Sequence, residues 1–132
     1  MLHMLDTNIC SYILKNHPLK VRDRFHEVGN DGLSLSTVVL AELYFGAARH
    51  PQGVTIRQEI DDFATMLTVI AWDEAAADHY GNIRAALERD GSPIGAMDMM
   101  IAAHARSLKA TLVTNNTKHF EKVPGLSITN WL

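Results

Sequence analysis

Apolar and polar positions along this chain follow two rhythms, one with a period of two and one near 3.6 residues, and the switches between them mark out the elements. The chain opens with residues 1–5, a short apolar run ending at Asp6, which predicts a buried strand followed by a turn. Ile9, Tyr12 and Ile13 then share one helical face, with Thr7 or Asn8 placed to cap it. Pro18 restarts the chain, and residues 19–28 predict a second, more charged helix. Residues 33–36 (LSLS) alternate as a strand does, and Ser36-Thr37 supplies a cap for a helix over 38–48. Residues 52–67 place Ile56, Ile60, Phe63, Ala64 and Leu67 on one helical face, and 67–71 predicts a short strand. Asp73 caps a long helix to Arg89, ended by Gly91-Ser92-Pro93, and a further helix covers 96–108. A compact strand at 111–114, a short helix near 118–121, a Pro124-Gly125 turn and a strand at 126–128 close the pattern. Strands separated by helices predict an α/β fold with a central parallel sheet flanked by helices. No repeat, low-complexity tract or linker interrupts it, so one domain is expected over residues 1–132.

Three acids interrupt this pattern. Asp6 ends a buried strand. Glu42 falls in the helical stripe Val39, Glu42, Leu43, Gly46, and Asp98 in the stripe Ile94, Asp98, Ile101, Ala102, Ala105. Each has a plain structural reading when taken alone: an N-cap for Asp6, a helix-edge residue with its head in water for Glu42, and a first-turn acid favoured by the helix dipole for Asp98. Together they call for a common partner, because desolvating lone carboxylates costs several kcal/mol or more. No Lys or Arg adjoins all three, which leaves a shared divalent cation. Hard oxygen ligands select Mg²⁺ or Mn²⁺ over zinc. Ligands of open parallel sheets bind beyond the carboxyl ends of the strands, where Asp6, Asn115 and Asn116 are expected to lie.

Composition narrows the class. The 132 residues are 47% hydrophobic and 20% charged, which is globular rather than disordered. No apolar run is long enough to span a bilayer, so no membrane association is expected. The opening MLHMLDTN has neither a basic n-region nor a long apolar stretch, so we expect no signal peptide and a cytoplasmic location. One cysteine excludes an internal disulfide framework and a multi-cysteine zinc site. The net charge of −3 does not announce a nucleic-acid binder, so attraction for RNA would come from local basic residues or bound cations. Lys15, Lys20, Arg22 and Arg24 are the densest basic stretch, read foremost as a solvated helix face. The seven histidines lack metal-site spacing; His104 points well away from Asp98 around the helix, and His79 and His119 read as surface residues.

Four segments, MLDTN, STVVLAELYFGA, GSPIGAMDMMIAAHA and LVTNNTKHF, in this order and spacing resemble the PIN-domain ribonucleases. Within them the likeness is to the VapC toxins of bacterial toxin–antitoxin pairs, the enterobacterial type in particular. The resemblance covers nearly the whole chain. It implies that Asp6, Glu42 and Asp98 are the metal-binding acids. Asn116 stands where many PIN domains carry a fourth acid, and as a neutral residue it would position water or phosphate. Asn8, Ser36, Thr114 and Asn115 match small polar residues in supporting places. The resemblance further implies a dimer, cleavage of structured RNA (initiator tRNA for this type), and a VapB-type antitoxin that blocks the toxin and carries the pair to promoter DNA.

Metal-assisted hydrolysis predicts 5′-phosphate and 3′-hydroxyl ends without a 2′,3′-cyclic intermediate, since water and not the ribose 2′-hydroxyl attacks. Two other functions compete. A haloacid-dehalogenase-like phosphatase also uses an Asp after its first strand, but it wants a second Asp two residues later, where this chain has Asn8, and a lysine near the third acid. A catalytically silent PIN scaffold binding RNA or protein is opposed by the complete trio of carboxylates.

Overall fold

The computed structural model describes the backbone of residues 1–132 and every side chain except that of Asn30. Five strands form one parallel sheet in the order β3-β2-β1-β4-β5. They are β1 (His3–Leu5), β2 (Leu33–Ser36), β3 (Thr68–Ile70), β4 (Thr111–Val113) and β5 (Ser127–Thr129). Seven α-helices connect them: α1 (Thr7–Leu14), α2 (Leu19–Val28), α3 (Thr37–Ala48), α4 (Gly53–Ala64), α5 (Glu74–Arg89), α6 (Ala96–Ser107) and α7 (Thr117–Phe120). The predicted α/β class and central parallel sheet are what the structure contains.

Strand order decides where a site forms. The chain lays β2 and β3 to one side of β1, then returns to lay β4 and β5 on the other. The reversal lies between β1 and β4, and connections there leave the sheet in opposite directions, opening a crevice beyond the strand ends. The central strands are shielded on both faces: Met4, Leu5, Leu35, Leu112 and Val113 are fully buried. This burial accounts for their continuous apolar character. Helix α6 approaches closely because Ala102, Ala103 and Ala105 present only methyl groups and are wholly buried. Trp72 joins two helices across the sheet end. Its backbone N–H donates to Thr37 Oγ1 (3.1 Å) and its indole N–H to the Met100 carbonyl (2.9 Å).

Local chemistry moved several predicted boundaries. The first helix is capped by Asp6, not by Thr7 or Asn8: Asp6 Oδ1 accepts from the Ile9 N–H at 2.9 Å. Helix α4 stops at Ala64 rather than Leu67. Thr65 Oγ1 donates to the Asp62 carbonyl and the Met66 N–H to the Phe63 carbonyl, which tightens the last turn and releases the chain into β3. The last strand begins one residue later than predicted, at Ser127. Helix α5 ends as expected: Gly91 takes φ +66°, and the Ser92 N–H reaches back to the Leu87 carbonyl at 2.9 Å.

Candidate active site

A pocket of about 160 Å³ lies beyond the carboxyl ends of β1 and β4, lined chiefly by Asp6, Thr7, Asn8, Glu42, Asp98 and Asn116. Space for roughly five waters, at ~30 Å³ each, is enough for a cation with part of its hydration shell. No Lys or Arg lines it. Larger hollows lie elsewhere on the molecule. One of about 420 Å³ shares Thr7 and Glu42 with the acidic pocket, and one of about 720 Å³ lies at the α3–α4 turn, remote from the acids.

Asp6 is anchored most firmly. Its N–H donates to the Val113 carbonyl at 3.1 Å, fixing the turn out of β1 against β4. Its carboxylate caps α1 and also takes a hydrogen bond from the Thr114 hydroxyl. The side chain is 5% exposed. Burial pushes its pKa above the ordinary carboxylate value, the two hydrogen bonds oppose this, and the nearby charges of Asp98 and Glu42 push it further up. Glu42 projects from α3 and is held by Thr7, whose hydroxyl donates to Oε1 at 2.7 Å. Asp98 occupies the first turn of α6, where the helix N-terminus favours a carboxylate. Among the described residues, no three His, Cys, Asp or Glu side chains converge closely enough to hold an ion as they stand. Glu42 is turned to Thr7 and Asp98 to His119.

Asn116 lines the pocket as the first residue before α7; its backbone N–H donates to Thr114 Oγ1 at 2.9 Å. Asn8 is exposed at the pocket mouth. The other supporting residues expected at the site lie off its lining. Thr114 is fully buried beneath Asp6. Asn115 faces β5, accepting from Asn130 Nδ2 at 3.2 Å. Ser36 is fully buried, capping α3 through the Val38 N–H (3.1 Å) and bonded to His104 Nδ1 (2.8 Å). His104 thus joins α6 to the start of α3. Burial lowers its pKa, a shift that Asp73 partly offsets, and its Nε2 is enclosed with no partner among the described residues.

Sequence reasoning missed Thr7 and His119. Thr7 was assigned to capping, although a hydroxyl directly after a strand-end acid is placed to touch a neighbour of that acid. His119 reads from sequence as a surface residue. It is half exposed, but its Nδ1 lies 3.5 Å from Asp98 Oδ2 and 2.9 Å from Asn116 Nδ2. The i, i+3 spacing from Asn116 on a short helix was the available signal. The basic stretch behaves as a solvated face: Lys15 and Lys20 are exposed, Arg22 pairs with Asp23 and Arg24 with Glu27.

A parallel sheet in the order 3-2-1-4-5 with an acidic, cation-poor pocket at its switch point defines a class of nuclease-like α/β proteins, and the chain belongs to the PIN-domain family, whose model matches residues 3–126. PIN-domain nucleases are in general divalent-metal dependent. The chain is 44% identical over 128 residues, covering 97% of itself and 96% of the relative, to the tRNA(fMet)-specific endonuclease VapC of Shigella flexneri. Its fold is similar to two solved complexes, each covered end to end with a TM-score of 0.94. They are VapBC2 from Rickettsia felis bound to a DNA fragment from its promoter, at 35% identity, and DNA-bound VapBC from Salmonella typhimurium, at 40%. Among the described residues, no helix is long and apolar enough to cross a membrane.

Proposed function

We propose that residues 1–132 act as one PIN unit, the toxin of a VapBC-type pair, and that it is a cytoplasmic Mg²⁺-dependent endoribonuclease cutting initiator tRNA and thereby inhibiting translation. Mn²⁺ would substitute for Mg²⁺. A VapB-type antitoxin would neutralise it and bring the pair to promoter DNA, with the toxin itself dimeric. The carrying observation is the pocket at the sheet's switch point, into which three separate elements deliver Asp6, Glu42 and Asp98 with no protein cation to balance them. Support for the substrate and partner comes from the VapC relatives and the VapBC complexes.

The donor set fits a hard divalent cation, since its charged groups are carboxylate oxygens and the pocket admits water. Asp6, Glu42 and Asp98 would hold it. When bound, the cation lowers the pKa of water and neutralises charge on the scissile phosphate. The chain's own groups supply position. Asp6 is fixed to the sheet by its backbone bond to Val113 and to α1 by its cap, so it cannot retreat from the pocket. Thr7 restrains the long Glu42 side chain, reducing the entropy lost when a ligand is gripped. The Asn116 amide, neutral and at the rim, is suited to donate to a phosphate oxygen. The phosphatase alternative is not retained: the pocket has no lysine, and Asn8 stands where a second acid is required.

The test is cleavage of purified initiator tRNA in Mg²⁺. Expected are loss of activity with EDTA, loss by at least about a hundredfold in Glu42→Gln and Asp98→Asn, and products with 5′-phosphate and 3′-hydroxyl ends. Products ending in 2′,3′-cyclic phosphate, or full activity in EDTA, overturn the reading.

A further inference from the structure

The hollow of about 420 Å³ has no part in the hydrolytic scheme above, yet it adjoins the acidic pocket, since Thr7 and Glu42 line both. Its size falls within the ~300–1,000 Å³ of cavities that enclose a small organic group. Helices α1, α3 and α4 wall it. Two stripes lead into it from the acids. On α1 the stripe is Thr7, Ser11 and Lys15, spaced i, i+4, i+8; on α3 it is Glu42, Gly46 and Arg49, spaced i, i+4, i+7. Lys15 and Arg49 thus stand roughly 10–12 Å along their helices from Thr7 and Glu42, at ~1.5 Å per residue. Both cations are exposed, and among the described residues neither forms an ion pair, even with Glu59, which also lines the hollow. Arg49 lies over Phe45, 5.1 Å from the ring centroid, and Phe45 is 64% exposed. The floor is apolar, with Leu43, Ala47 and Ile60 buried. Cations at helix C-termini suit the helix dipole, which accounts for Lys15 and Arg49 singly. It does not account for Gly46. Glycine weakens a helix interior, and a Cβ here would meet nothing within 4 Å. Packing gives no reason for this glycine, whereas a group lying against α3 would.

We infer that this hollow seats an unpaired base of the RNA strand flanking the cut, with Lys15 and Arg49 holding phosphates of that strand and Gly46 leaving room for the base. The inference rests on the acidic pocket being the place where the phosphodiester is cut. An RNA strand matches the chemistry met along both stripes: the acidic pocket with its cation for the scissile phosphate, an apolar cavity for a base, then unpaired cations for further phosphates. Unpaired bases splayed from a strand are recognised on apolar and aromatic surface of this kind, with an arginine beside the ring. The phosphate contacts would position the strand, and the shape of the hollow would select among bases.

The experiment measures initiator-tRNA binding by fluorescence anisotropy in Mg²⁺ over about 50–200 mM salt, with Asp98→Asn present throughout to suppress cleavage. Cleavage by the unmodified chain is followed in parallel. Lys15→Gln and Arg49→Gln should each lessen the slope of log affinity against log salt by about 0.7–0.9, the loss of one phosphate contact. Lys15→Arg and Arg49→Lys should keep the slope. Gly46→Leu should weaken binding by about five- to a hundredfold, the worth of one stacked base, with the slope unchanged and Tm no lower, since leucine favours the helix. Should Gly46→Leu lower Tm, the slopes of the charge variants decide alone. An unchanged slope in either charge variant, while the unmodified chain cleaves, overturns the inference and leaves the proposed function standing. If those variants weaken the complex with a VapB-type antitoxin instead, the hollow belongs to the protein partner. Failure of the unmodified chain to cleave this tRNA overturns the proposed function, and the inference with it.

Discussion

Asp6→Asn should make the metal-free protein more stable while disabling it. The substitution keeps the shape and the cap, because Asn ranks with Asp as an N-cap and its oxygen can still accept from the Ile9 N–H. What it removes is a charge that is 5% exposed and lies near two like charges. Opposing this gain, the bonds from Ile9 and Thr114 become neutral rather than charge-assisted, a loss of about 1 kcal/mol each. The direction of the Asp6 pKa settles the balance: it is raised, so burial and repulsion outweigh both hydrogen bonds. The surplus should be modest, about 1 kcal/mol, within the ~0.5–2 kcal/mol that relief of a functional-site conflict commonly yields. For a chain of this length that is a rise in Tm of roughly 3–5 °C. The pH dependence has a definite sign. The native state holds the Asp6 proton more tightly than the unfolded chain, so the penalty is complete above the folded pKa and fades as pH falls through it. The advantage of Asp6→Asn should therefore be largest near pH 7 and shrink on acidification. In a divalent cation at a hundred times its Kd, the unmodified chain gains about 2.7 kcal/mol and the order of stabilities reverses. The assay is thermal unfolding by circular dichroism from pH 7 to pH 4, in EDTA and in Mg²⁺. A variant less stable than the unmodified chain in EDTA at pH 7, or an advantage that grows on acidification, refutes the reasoning.

Other substitutions probe the supports. Thr7→Val removes the hydroxyl that holds Glu42 at 2.7 Å; initiator-tRNA cleavage should fall by about tenfold at saturating Mg²⁺, while Tm changes by only a few degrees. An unchanged rate would show that Glu42 needs no restraint. Acidification below the ordinary histidine pKa of 6.5 should destabilise the fold through His104, whose pKa burial holds lower, so the unfolded chain takes the proton first. His104→Gln should flatten the stability profile between pH 7 and 5.5, and a profile as steep as that of the unmodified chain would exclude His104 as its source. Leu112→Ala, at a fully buried position in β4, should cost about 2–5 kcal/mol in urea unfolding. A cost below 1 kcal/mol would mean that the sheet centre relaxes around the loss.

The site was legible where a residue broke a pattern. Glu42 and Asp98 interrupt apolar stripes, and Asp6 ends an apolar strand, so an alternating or helical template exposes each without knowledge of the fold. Strand order was not legible, because parallel strands of only three or four residues carry little register information in themselves. The surroundings of the supporting residues were hidden for a related reason. Ser36 ends β2, and Thr114 and Asn115 follow β4, but their side chains are committed to His104, Asp6 and Asn130 respectively. Those partners lie 15 to 108 residues away along the chain, beyond the reach of any local pattern. His119 went unread because exposure is the ordinary state of a histidine, and its meaning here depends on Asp98 from another helix.

The same distances explain how three acids from three elements hold a common site. Asp6 is referenced to the sheet itself, through a backbone bond from β1's end to β4. Glu42 and Asp98 ride on α3 and α6, and rigid-body movement of either helix would pull them apart. Two contacts oppose that movement. The buried Ser36–His104 bond ties the first residue before α3 to the last turns of α6, and Trp72 bonds at once to Thr37 at the start of α3 and to Met100 in the middle of α6. Both lie off the pocket, so neither bears on the chemistry directly. A variant lacking the Trp72 indole donor should thus lose rate through the spacing of Glu42 and Asp98 while keeping the charge of every pocket residue. In Trp72→Phe, raising the Mg²⁺ concentration should restore much of the lost activity, because a looser pair of ligands binds the ion more weakly but in the same way. In Asp98→Asn the same increase should restore little. Equal failure to respond in both variants would show that α3 and α6 are not positioned through this link.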